Sequence, residues 1–201
     1  MAQVHRNPNM SARPFALSDE AAPVRDASPR TRAETSLPLP TRAREALAII
    51  EAAGGEAWCV GGCVRDALLG RPVHDVDIAA SLPWPVTQAA FREAGWSTVE
   101  TGVAHGTLTV ISEGEPFEIT TYRCDGTYSD GRHPDAVTPA ATIQEDLRRR
   151  DFTINALAYH PERGIIDPFG GIADMEAGLL RCVGDPATRF EEDALRILRG
   201  C

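Results

Sequence analysis

The chain has 201 residues, 43% of them hydrophobic, and 29 acidic against 20 basic residues give a formal charge of −9. No apolar run approaches the roughly eighteen residues that a membrane-spanning helix needs, which argues against a membrane partner. Every basic residue other than histidine is arginine, so a lysine-based phosphate loop, a pyridoxal Schiff base and a lysine nucleophile are excluded, and the acidic balance argues against a nucleic-acid binder held by bulk charge.

Residues 1–40 hold six prolines, five arginines and four acids among small residues, and they read as a disordered N-terminal extension. From Thr41 the pattern becomes globular. Apolar residues at 43, 46, 47, 49 and 50 predict an amphipathic helix over 41–53, ended by Gly54-Gly55. A short strand over 57–60 leads through a glycine pair into a helix over 63–69, closed by Gly70. Residues 74–79 alternate as a strand, 86–94 form a helix, and strands follow over 97–100, 107–112 and 116–122. The Gly-, Asp- and Pro-rich stretch 123–139 predicts a long loop, and loops of that length are usually functional. Thr142-Ile143-Gln144-Glu145 is a capping box opening a helix to about Arg149. A second helix is predicted over 151–159, then a short strand near Ile165 and Ile166, and Asp185-Pro186 opens a last helical region. The cysteines at 59, 63, 124, 182 and 201 fit no disulfide framework, so a reducing, cytoplasmic setting is expected. Cys59, Cys63 and His74 make only an incomplete zinc pattern, and buried or turn thiols are the preferred reading.

Two constellations carry possible chemistry. Asp75-Val76-Asp77 on a strand would put two carboxylates on one face, about 6.6 Å apart along the strand, where both could lean towards a hard divalent ion. Gly61-Gly62-Cys63-Val64-Arg65-Asp66 is a strand–glycine–helix junction. Glycines let a ligand approach the backbone, the helix start offers unpaired N–H groups to an anion, and Arg65 adds a planar charged fork. Each alone is a common surface feature. Nine residues apart, they could bring a triphosphate beside two metal-binding acids.

The order of motifs is more specific. Gly61-Gly62-x-Val64-Arg65-Asp66, Leu68-Leu69-Gly70-Arg71-Pro72 and Asp75-Val76-Asp77 are followed by His105-Gly106-Thr107, Glu118-Ile119-Thr120-Thr121-Tyr122-Arg123 and Asp125-Gly126-x-Tyr128. Then come Arg149-Arg150-Asp151, Ile166-Asp167-Pro168-Phe169-Gly170-Gly171 and Glu192-Asp193-x-x-Arg196-x-x-Arg199. Together they resemble the class II tRNA nucleotidyltransferases, the CCA-adding enzymes, whose catalytic head is shared with bacterial poly(A) polymerases.

The resemblance implies a polymerase-β-like nucleotidyltransferase head over 41–185, an α/β (α+β) domain with a mixed sheet flanked by helices, and an all-α neck beginning over 186–201. It implies template-independent addition of CCA to tRNA 3′ ends from CTP and ATP, with Mg²⁺ held by Asp75 and Asp77. Glu118, on a strand that adjoins the first carboxylate strand in this superfamily, is either a third carboxylate or a structural salt-bridge partner. Gly62 and Arg65 would meet the nucleotide phosphates, and Arg150 and Asp151 the ribose. Arg148 and Arg149 are expected on a solvated helix end. Asp193 and Arg196, three apart on one helix, would accept from an exocyclic amine and donate to ring acceptors, which selects C and A; Glu192 and Arg199 stand beside them. The loop over 123–139 corresponds to a mobile segment near the family's active site. A poly(A) polymerase and a CC- or A-only adding enzyme share this head. The family pattern continues beyond the Asp193–Arg199 helix into regions that grip tRNA, so the chain reads as truncated in the neck, and an inactive nucleotide-binding fragment is the alternative of another class.

Overall fold

The computed structural model describes residues 16–17, 36–73, 75–129, 131–132 and 134–200. A two-residue strand β1 (Ala16–Leu17) precedes helix α1 (Thr41–Ala52), strand β2 (Ala57–Val60), helix α2 (Gly62–Leu68), strand β3 (Asp77–Ala80) and helix α3 (Trp84–Glu93). Strands β4 (Ser97–Gly102), β5 (Thr107–Ser112) and β6 (Glu115–Thr121) follow as a meander, then the short pair β7 (Arg123–Asp125) and β8 (Val137–Pro139). Next come helix α4 (Ile143–Arg148), strands β9 (Ala158–His160) and β10 (Gly164–Ile166), and helix α5 (Gly171–Ala177). Strand β11 (Leu179–Leu180) and helices α6 (Pro186–Glu192) and α7 (Leu195–Arg199) complete the described chain. None of these helices is long and apolar enough to cross a membrane.

Seven strands form the expected mixed sheet, in the order β10-β9-β2-β3-β6-β5-β4, with β3 and β6 its one parallel pair. One face carries Ile78, Leu108 and Ile119 into a core with Leu47 and Ile50 of α1 and Phe91 of α3. Each such side chain contributes about 1.5–3 kcal/mol on burial. The apolar spacing of α1 is the one its sequence gives: Ala43, Ala46, Leu47 and Ile50 are its buried residues. The opposite face is covered at one end, where Trp58, Val60 and Ala79 pack with Ile143 and Leu147 of α4. Pairing sets Val60, Asp77, Glu118 and Thr109 in one row across β2, β3, β6 and β5 on that second face.

Several elements differ from expectation. Disorder through residue 40 gives way to order earlier, because Leu37 and Leu39 are buried in the core and the Leu37 N–H donates to Tyr159 Oη at 3.0 Å. Ala16–Leu17 pairs in parallel with β11, while the expectation of disorder at 1–15 and 18–35 lies outside the described residues. Strand β3 starts at Asp77, so Asp75 stands in the connection before it. The ends of the 123–139 loop are pinned as a two-stranded ribbon, β7 with β8. The helix predicted over 151–159 is instead a 3₁₀ turn at Thr153–Asn155 leading into β9. Apolar residues at 152, 154 and 157 imitate a helical period, but pairing overrides it: Phe152 bridges Cys182, and the Thr153 N–H donates to the Arg181 carbonyl at 2.9 Å. Helix α5 was not anticipated; Asp167 starts it by accepting from the Gly171 and Ile172 N–H groups at 2.7 and 3.1 Å.

Candidate active site

A cleft of about 500 Å³ opens on the uncovered half of the sheet's second face. Seven of the expected site residues line it: Asp77, Glu118, Arg150, Asp151, Asp193, Arg196 and Arg199. Gly62, Arg65, Asp75 and Glu192 do not.

Asp77 and Glu118 are direct partners on the parallel strands β3 and β6. Side chains so paired project to the same face about 4.8 Å apart. Burial raises the Asp77 carboxyl above the ordinary carboxylate value; Arg150 opposes that shift and Asp75 adds to it. Burial also raises Glu118, and both Asp77 and Asp75 push it further. The charges that raise Glu118 are those of Asp77 and Asp75. Three acids therefore share one field, with Asp75 reaching it from the connection before β3. Among the described residues no three carboxylate, imidazole or thiol side chains converge as a ready-made ion cage. Magnesium does not need one, since it keeps waters and takes one or two carboxylates plus substrate phosphates. The oxygen donors of Asp75 and Asp77 fit that requirement.

Arg150 closes one side. The Gly61 backbone, at φ +77° and ψ −134°, is open to glycine alone, and a Cβ there would stand 2.6 Å from Arg150 Nη1. Burial lowers the Arg150 pKa, and its buried Nε has no hydrogen-bond partner. A buried donor left unpaired is costly. Arg149 is not the solvated residue expected; it is half-buried, with Nε 3.1 Å from Asp146 and Nη1 3.8 Å from Asp125. Arg148 is exposed, as expected.

Asp151 accepts at Oδ1 from the Phe152 N–H (2.7 Å) and Asn155 Nδ2 (3.0 Å), and Oδ2 lies 3.2 Å from Arg199 Nη1. Asn155 in turn accepts from Arg65 Nη1 at 2.6 Å, while Arg65 Nε and Nη2 each stand 3.0 Å from Asp66. Arg65 thus holds the Asp151 support in place instead of facing the cleft.

The helix expected to carry both Asp193 and Arg196 is broken. Asp193 is extended (φ −147°) and accepts from the Leu195 N–H at 2.9 Å, which ends α6 and starts α7. Both side chains still reach the cleft, with Arg196 Nε 4.0 Å from Asp193 Oδ2. Arg196 also donates to Glu192 (2.5 Å), to Tyr128 Oη (3.3 Å) and to the Arg189 carbonyl (3.2 Å). Tyr128 Oη donates to Asp125 at 2.7 Å. Tyr128 and Asp125 belong to the 123–139 segment and to its Asp125-Gly126-x-Tyr128 motif, to which the sequence assigned no role. Cys59 and Cys63 are buried, and burial pushes the Cys63 thiol up to about 11; His74 lies outside the described residues.

Residues 57–181 match the family described as "Poly A polymerase head domain". The CCA-adding enzyme of Lactiplantibacillus plantarum is 51% identical over 167 residues, covering 82% of this chain and 40% of that protein. The crystal structure of Bacillus stearothermophilus CCA-adding enzyme in complex with CTP matches with a TM-score of 0.70 at 41% identity, covering 79% of this chain and 37% of that one. A tRNA nucleotidyltransferase complexed with a primer tRNA and an incoming ATP analog matches with a TM-score of 0.60 at 32% identity, covering 77% and 43%. The chain spans about 40% of the length of the curated relatives it matches.

Proposed function

The chain belongs to the poly(A) polymerase head-domain family, and from that premise we propose that it transfers nucleotides to RNA 3′ ends, building the CCA end of tRNA from CTP and ATP. The observation that carries this reading is the Asp77–Glu118 pair, with Asp75 in its field and arginines facing it across one cleft.

In the reaction, the RNA 3′-hydroxyl oxygen bonds to the α-phosphorus of the nucleotide. The bond from that phosphorus to the β-bridging oxygen breaks, and pyrophosphate leaves with the electron pair. Asp75 and Asp77 would hold Mg²⁺, which when bound supplies positive charge for the triphosphate and the attacking oxygen. Arg150 binds phosphate through its guanidinium, which lines the cleft. Glu118, with its raised pKa, accepts the proton from the 3′-hydroxyl. Asp151 accepts from the ribose 2′-hydroxyl once Arg199, a largely exposed side chain, gives way. Asp193 and Arg196 read the base edge: a carboxylate suits the amines of cytosine and adenine and repels the carbonyls of uracil and guanine. Gly62 and Arg65 act from behind the cleft, Arg65 as a positioning residue through Asn155. Glu192 holds Arg196.

The test is to incubate the chain with Mg²⁺, tRNA lacking its CCA end and each labelled nucleoside triphosphate, then sequence the 3′ ends. Two cytidylates followed by one adenylate are expected. Incorporation of UTP or GTP at parity, or of no nucleotide at all, would refute the reading; runs of adenylate alone would move it to poly(A) synthesis.

A further inference from the structure

A second row lies two residues further along the strands from Glu118. On the same face, Thr120 of β6 stands opposite Thr107 of β5, and their hydroxyls are 3.0 Å apart. Beyond them the β4–β5 corner turns in over the cleft. A register shift between Val99 and Gly102 breaks the β4 ladder, and such bulges re-aim a strand end. Gly102 is required for it, because a Cβ there would meet Thr107 Cβ at 2.9 Å and the Thr107 carbonyl oxygen at 3.0 Å. A 3₁₀ turn over Val103–His105 follows. The corner is clamped onto β6: the Thr121 N–H donates to the Gly106 carbonyl at 2.9 Å, and Arg123 Nη1 donates to the His105 carbonyl. Gly102, His105, Thr107 and Thr120 all line the cleft, and none was singled out as part of the nucleotide machinery.

Sheet order decides what this corner faces. Gly61 and Arg150 lie by β2, on one side of Asp77 and Glu118, whereas Thr107 and His105 lie by β5 and β4, on the other. Phosphoryl transfer runs in line, with attacking and leaving oxygens on opposite sides of the phosphorus. A triphosphate drawn towards Arg150 therefore receives its attacking hydroxyl from the β5 side. Resting on the nucleotidyl-transfer reading above, we propose that the corner formed by His105, Thr107 and Thr120 binds the 3′-terminal nucleotide of the RNA acceptor. The threonine hydroxyls hydrogen-bond its terminal ribose, and the His105 imidazole, exposed at the mouth, donates to the phosphodiester behind it. Neutral hydroxyls suit this position, because a further carboxylate would repel the incoming polyanion.

The experiment compares wild type, His105→Ala and Thr107→Val in steady-state CTP incorporation into tRNA lacking its CCA end. The same RNA carrying a photoreactive 3′-terminal base is cross-linked and the attached peptide mapped. Each variant should raise the KM for RNA about tenfold, the scale of one lost hydrogen bond to a charged or sugar group, with the KM for CTP unchanged. The cross-link should fall within residues 102–107. An unchanged KM for RNA, a KM for CTP that rises with it, or a cross-link confined to residues 186–199 would overturn the assignment. Wild-type protein that binds CTP yet extends no RNA would instead remove the reading on which it rests, and the acceptor corner with it.

Discussion

At the scale of single residues, Asp77 and Glu118 are acids held where acids repel. Both carboxyls are raised by burial and by negative neighbours, so the folded chain binds protons there more tightly than the unfolded chain. Their contribution to stability is fully present below the ordinary carboxylate pKa and is lost as pH rises through the raised values. At neutral pH they weaken the metal-free protein. Asp77→Asn should therefore raise its melting temperature while lowering nucleotide incorporation about a thousandfold or more, the scale of several kcal/mol of lost charge stabilisation. Mg²⁺ should raise the melting temperature of wild type and leave that of Asp77→Asn nearly unmoved; calorimetry with and without the ion checks both. Gly61→Ala should cost about 1–3 kcal/mol in urea unfolding, since alanine strains at that backbone geometry and crowds Arg150. The Asp-x-Asp spacing made two of the acids legible in sequence. Arg149 was not legible, because the end of a short helix looks solvated until Asp125 and Asp146 are seen around it.

At the scale of elements, helix α4 does more than flank the sheet. Its Asp146, fully buried, accepts from the Arg123 N–H at 3.2 Å, pairs with Arg149 at 3.1 Å and lies 3.9 Å from Arg150. One acid thus ties the start of β7 to two arginines of the cleft. Asp146→Ala should destabilise the protein by about 3–5 kcal/mol, as expected when a buried charge loses its partner, and denaturant titration measures it. Helix α4 was readable from its capping box: Thr142 accepts from the Glu145 N–H, and Glu145 reaches back to the Ala141 N–H at 2.7 Å. The segment after it was not. Residues 151–159 have a helical apolar period, and what makes them a turn and a strand is pairing with Arg181, Cys182 and β2, all distant in sequence. The break at Asp193 was hidden for a similar reason, since an aspartate inside a charged, helix-favouring run gives no local sign that its carboxylate will start a new turn.

At the scale of the molecule, a formal charge of −9 coexists with several arginines gathered in one cleft. RNA contact should then be local. For a short single-stranded RNA end, the logarithm of affinity should fall with the logarithm of salt with a slope of about −2, that of some three phosphates. Fluorescence anisotropy across a salt series reads it directly, and a much steeper slope would mean a basic surface elsewhere. The large sheet, which sequence showed as a set of strands without their order, holds a last consequence. Asp77 and Glu118 meet across its one parallel pair, and a parallel pair cannot be closed by a hairpin. The chain between them must first lay down α3, β4 and β5, so the two acids are joined by a long-range closure that local contacts cannot nucleate. Their mutual repulsion is thus placed on a contact of high sequence separation, one that the apolar core of the meander has to support.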